Sequence, residues 1–147
     1  MLKEQSRKTK NNVMIYDYKN PHLHGFFISL YLRAGSMHED HAGITHFLEH
    51  AAIRNVNRIM DEKLYPTLDK LGIEFNASTF TEMVQFYISG ATENFDVAAE
   101  IIAKLLSPII LSPAEIKNER DRIKAEIRES DDKGSLSNFA NNIVHSD

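Results

Sequence analysis

Twice along this chain a two-residue apolar alternation gives way to a helical one. That order limits the fold more than any other feature. "VMIYDY" (Val13 to Tyr18) and "HGFFISLYLRAGS" (His24 to Ser36) are rich in aromatic and β-branched residues. The second alternates loosely, as a half-buried strand does. "NPH" between them is a turn signal, so the pair is expected as an antiparallel hairpin or as two neighbouring strands. "SMHEDHAG" reads as a loop, and a helix is expected from near Ile44. "MDEKLYPTLDKLG" (Met60 to Gly72) reads as a second helix, in which Pro66 forces a kink or a late start and Gly72 suits the stop. Alternation then returns in Ile73-x-Phe75 and Val84-x-Phe86-x-Ile88, a further strand pair that bends near "NASTFTE". Phe95, Ala98, Ile101, Ile102 and Leu105 restore helical spacing. The last helix has the clearest start: Ser112 as cap, Pro113 in the first turn and Glu115 completing a capping box. "DDKGSLSN" is expected to end it. Strands, helices, strands, helices in that order predict an α+β fold, an antiparallel sheet packed against helices.

The 147 residues fit one domain, 1–147, with 1–12 expected to be flexible. The apolar fraction of 42% is enough for a real core without a covalent staple. A net charge of −4 offers no electrostatic footprint for nucleic acid. Lys3, Arg7, Lys8 and Lys10 make the N-terminus basic, but no apolar run follows them, so it does not read as a secretory signal. No stretch approaches the roughly 20 apolar residues of a membrane span. A cytoplasmic location is the resulting expectation. Cysteine is absent, which excludes disulfides, thiolate metal sites and a cysteine nucleophile. Any metal here must rest on His, Asp and Glu.

Those residue types converge in "GITHFLEHAAI" (Gly43 to Ile53). His46 and His50 stand at i and i+4, one above the other on a helix, and can offer ring nitrogens to a single ion. Glu49 leans over the same face, off the axis of the pair, an offset that suits a group acting on a water rather than on a metal. The alternative is three polar residues on the wet face of an ordinary helix, and the five residues alone leave both readings open. A zinc site would need a third protein ligand and an open position for water. In the last helix Glu119 and Glu126 are two turns apart and share a face, beside an apolar face marked by Ile116 and Ile123. A glutamate bordering a buried stripe is costly unless something satisfies it. A bound ion would do so. So would the many Arg and Lys residues of a solvated helix. His38 and His41 in "HEDH" read as solvated, and His22, His24 and His145 have no partner in sequence.

Taken together, the residues resemble the inverted zinc-motif metallopeptidases, the inverzincins, which include pitrilysin, insulin-degrading enzyme and the mitochondrial processing peptidase. The likeness is carried by His46-Phe47-Leu48-Glu49-His50, by "AGSMHED" with Gly35, Ser36 and Glu39, by Gly43, by Asn76, Ala77 and Thr79, and by "LSPAEIKNERDRIKAEI". It runs from about Val13 to the Asp131 region. It implies that His46, His50 and Glu126 hold one zinc ion and that Glu49 is the catalytic base. It implies that Glu119 is an extra acidic residue that orients a ligand histidine or helps the water. Phe75, Asn76 and Ala77 match the edge strand along which a peptide substrate would lie. The resemblance also implies a zinc endopeptidase built from two similar halves, each longer than this chain. The sequence departs from the family after His50, where "AAIRNVN" puts Asn55 in the expected turn region and supplies no glycine. Two functions follow: a peptidase catalytic half-domain, favoured by an intact Glu49, or a partner-dependent subunit that binds peptide or zinc without turnover of its own, favoured by the length.

Overall fold

The computed structural model describes residues 3–10, 12–41 and 43–144, with side chains described for 4–10, 12–41 and 43–129. Five strands and four α-helices follow one another as β1 Lys3–Lys8, β2 Met14–Lys19, β3 Gly25–Leu32, α1 Ile44–Ile59, α2 Leu64–Leu71, β4 Glu74–Thr79, β5 Val84–Ala91, α3 Phe95–Lys104 and α4 Pro113–Val144. β3, β5 and β4 form an antiparallel sheet in that order, with β5 in the centre. The register sets Ile28 opposite Ile88, and Asn76 opposite Tyr87. This is the α+β arrangement expected from the alternating periodicities.

β5 shows why the sheet forms. Val84, Phe86 and Ile88 are buried while Gln85, Tyr87 and Ser89 point to the other face. That period of two makes one side of the sheet apolar. α1 to α3 cover that side. Val56, Leu64, Leu68, Ile73, Ile88, Ala98 and Ile101 form the main core, and Ala52, Val84 and Phe86 extend it towards α1. Each fully buried Val, Leu, Ile or Phe side chain among them contributes about 1.5–3 kcal/mol relative to exposure. α2 begins at Leu64, so Pro66 lies in its first turn, where the missing N–H costs nothing. Gly72, at φ +61, ends it in the left-handed conformation, and the Ile73 N–H returns to the Leu68 carbonyl at 3.0 Å.

Three expectations are corrected. β2 pairs with β1, not with β3, so "NPH" joins two different sheets. Lys3–Lys8 is a strand over its whole length. Its polar "KEQSRK" carries no apolar alternation, so only the pairing defines it. Asn55 lies inside α1, 1% exposed, and not in a turn. The reversal comes after Met60, where Asp61 (φ 51) and Glu62 (φ 61) are both left-handed. Finally, α4 runs through "DDKGSLSN" to Val144. A single glycine with no proline behind it weakens a helix by only about 1 kcal/mol relative to alanine and does not oblige it to stop.

Candidate active site

α1 carries most of the site, and three local devices aim it. Its N-terminal turn starts at Gly43, whose φ of +90 a side chain would strain. The Glu39 carboxylate accepts the Thr45 N–H at 2.9 Å, and that bond holds its pKa below the ordinary glutamate value. It satisfies one of the donors a helix start leaves open. The loop ahead of the helix is sewn to the β4–β5 turn: Ser36 N–H donates to the Phe80 carbonyl (3.1 Å) and Met37 N–H to that of Thr81 (2.9 Å). Gly35 makes this approach possible, because a Cβ there would lie 2.3 Å from backbone atoms of Thr81, Glu82 and Met83.

α4 is held against α1 by a different set of contacts. Asn55 donates to the Pro108 carbonyl and accepts from the Ile110 N–H, both at 3.2 Å, which ties α1 to the segment leading into α4. The capping box then starts α4: Ser112 N–H reaches Glu115 (2.8 Å) and Glu115 N–H reaches Ser112 Oγ (3.3 Å). The Ser112 backbone bond, above all, depresses the Glu115 carboxyl pKa. Arg54 bridges Glu62 (2.6 Å) and Glu115 (3.2 Å), and the hydrogen bond to Glu62 raises its pKa further.

With the helices so placed, His46, His50 and Glu126 come together. One donor atom from each lies within 4.8 Å of the others, a grouping that includes no other residue among the described ones. His46 Nε2 and His50 Nε2 are 3.2 Å apart, and Glu126 oxygens lie 3.9 and 3.4 Å from them. Ligands about 2.0–2.1 Å from a tetrahedral zinc sit roughly 3.3–3.4 Å from one another. The spacing and the two-imidazole, one-carboxylate donor set therefore fit zinc. Glu49 stays out of that cluster. Its carboxylate, in a residue 9% exposed, accepts the Thr79 hydroxyl at 2.5 Å. Glu119 is buried and stands 3.6 Å from His50 Nδ1, beyond hydrogen-bond distance.

The stripe on α4 differs from the expected one. Ile123 is buried, but Ile116 and Ile127 are exposed, and of the two glutamates Glu119 is the buried one. Two adjoining grooves, about 440 and 640 Å³ in volume, meet at Glu49, Ala77 and Glu126. Asn76 and Ala77 line them, whereas the Phe75 side chain turns inward against the core. β4 is the edge of its sheet, paired with β5 alone, and the Ala77 N–H is taken by its neighbour's Asn76 Oδ1 at 2.8 Å. His38 and His41 are exposed and lie outside the cluster, and His145 is beyond the described residues. Sequence reasoning missed Glu39 as a cap, Asn55 as a tie and Thr79 as the hydrogen-bond partner of Glu49. Only Thr79 left a signal, a polar residue ending the inward series Phe75, Ala77, Thr79.

An antiparallel sheet under helices, with two histidines and a glutamate converging beside a buried carboxylate, defines the class: a metallopeptidase-like domain. Comparison with known proteins makes the family definite. Residues 18–147 match the family described as Insulinase (Peptidase family M16), and the chain belongs to it. It is 32% identical over 127 residues to an uncharacterized zinc protease of Rickettsia felis, covering 85% of this chain and 31% of that protein. To the human mitochondrial-processing peptidase subunit beta it is 31% identical over 104 residues, 69% of this chain and 21% of the relative. Among solved structures it is similar to a protease from Helicobacter pylori (TM-score 0.72, 22% identity, 87% and 31% of the two chains). It is likewise similar to pitrilysin (TM-score 0.75, 20% identity, 88% and 14%). The chain thus spans about a third or less of the length of these relatives.

Proposed function

We propose that this chain is the catalytic half-domain of a zinc-dependent endopeptidase. The observation that carries the proposal is the convergence of His46, His50 and Glu126 donor atoms within 4.8 Å beside a separately held Glu49. His46, His50 and Glu126 would hold one zinc ion. When bound, zinc polarises the scissile carbonyl and lowers the pKa of a water to near neutrality. Glu49 takes a proton from the attacking water and returns it to the leaving amine, the role of a general base and then acid. Glu119 orients the His50 ring through Nδ1 and is a positioning residue. The peptide pairs along β4 as an added strand. Its backbone carbonyl would compete with Asn76 Oδ1 for the Ala77 N–H. Such pairing reads main chain more than side chain, so length and conformation of the peptide select it.

A second reading rests on length. The human relative is a subunit by name, and this chain covers about a third or less of each relative. It would then bind zinc or peptide and turn over only with a second half-domain or a homologous subunit. One experiment separates the two: hydrolysis of a fluorogenic peptide by the zinc-loaded chain, with and without a homologous half-domain, and with Glu49→Gln as control. Cleavage lowered at least 100-fold in Glu49→Gln, with zinc content retained, supports the peptidase. Cleavage only after the second half is added supports the subunit. Absence of cleavage in both settings refutes a catalytic role.

A further inference from the structure

Thr79 is the one residue of the inner face of β4 that meets the site with a polar group. Phe75, Ala77 and Thr79 point the same way from the strand. The first two pack against the core, and the third, opposite Val84 at the strand's end, places its hydroxyl 2.5 Å from Glu49 Oε2. Among the described residues no other hydrogen-bond donor reaches the Glu49 carboxylate. A buried carboxylate held at one oxygen can still turn about its last torsion unless that single bond fixes it. The donor is itself well fixed. Immediately after Thr79, the Phe80 and Thr81 carbonyls accept the Ser36 and Met37 N–H groups of the loop that leads into α1. The strand end, the loop and the helix therefore form one closed unit, with the Thr79–Glu49 bond across its middle.

We propose that Thr79 is a positioning residue for the base: its hydroxyl clamps Glu49 Oε2 and so fixes the carboxylate in the groove that Glu49 lines together with His46 and Glu126. This rests on the peptidase reading above. It extends that reading, because the strand that would receive the peptide at Asn76 and Ala77 is the strand that aims the base. Peptide pairing along β4 stiffens the strand and with it the clamp. The simplest competing explanation is that the hydroxyl only satisfies a buried acceptor, in which case its loss would lower stability and leave the balance of kcat and KM alone.

The test compares Thr79→Val, which keeps the shape and removes the hydroxyl, with Thr79→Ser, which keeps the hydroxyl. The first measurement needs no turnover: crystal structures of the unaltered chain and both variants. In Thr79→Val the Glu49 carboxylate is expected to leave its single orientation and occupy another or several, and in Thr79→Ser to keep it. The second uses the zinc-loaded chain on a fluorogenic peptide, with a homologous half-domain if cleavage requires one. Thr79→Val should lower kcat about 10- to 100-fold, with KM within about twofold and zinc content unchanged. Thr79→Ser should stay within about threefold of the unaltered chain. An unmoved Glu49 in Thr79→Val, an unchanged kcat, or equal impairment in the two variants overturns the proposal. A chain that cleaves nothing while Glu49 still moves in Thr79→Val overturns the peptidase reading and keeps the clamp.

Discussion

Gly35→Ala should loosen the site without touching it. Gly35 has φ −82 and ψ 173, a conformation any residue adopts, so backbone freedom is not why glycine is there. Space is. An added Cβ would stand 2.3 Å from the Glu82 carbonyl carbon, the Met83 nitrogen and the Thr81 oxygen, all backbone. Ordinary contact begins at about 3.4 Å, so the loop must retreat by roughly 1 Å. The Ser36–Phe80 and Met37–Thr81 bonds, 3.1 and 2.9 Å long, would then open to about 4 Å and be lost. Two such bonds contribute about 1 kcal/mol each, so the cost is about 2 kcal/mol. For a chain of this length that lowers the unfolding midpoint by roughly 5–8 °C. Because the same loop carries Glu39 onto Thr45, the start of α1 shifts and zinc affinity should fall as well. Thermal unfolding followed by circular dichroism, with zinc titration beside it, measures both. A variant that unfolds within about 1 °C of the unaltered chain would refute the packing argument.

Other outcomes follow from the same contacts. Asn55→Leu should cost about 1–3 kcal/mol in urea unfolding, since the Pro108 carbonyl and Ile110 N–H lose their partner near the surface. It should also weaken zinc binding, because α4 loses a tie to α1. Stability should decline as pH falls below the ordinary glutamate value of 4.5, because folding depresses the pKa values of Glu39 and Glu115. Their contribution is complete above the unfolded value and is lost as pH passes down through the folded one. Glu39→Gln with Glu115→Gln should flatten that acid limb in a stability–pH profile.

The legibility of the fold varied with how local each cause is. That His46 and His50 share a face, with Glu49 beside them, was readable from helical spacing alone. The capping box at Ser112 and Glu115 was readable because its two bonds span three residues. β5 announced itself through Val84, Phe86 and Ile88. β1 did not, because its residues are polar and its only reason to be extended is the pairing with β2. Asn55 was misread for a related reason: asparagine is common in turns, and the bonds that keep this one in a helix go to residues more than 50 positions away. Glu119 and Glu126 could be placed on one face from spacing. Which of the two is buried depended on where α1 lies, and spacing does not carry that. Thr79 shows the same limit, since its partner is 30 residues distant and on another element.

Two helices of this chain are proposed to assemble a zinc site without a second half-domain. Elemental analysis of the purified chain after equilibration with zinc and removal of the excess, beside Glu126→Gln, tests it most directly. About one zinc per chain is expected, lost or much weakened in Glu126→Gln. No zinc in the unaltered chain, or the same zinc content in both, would contradict it.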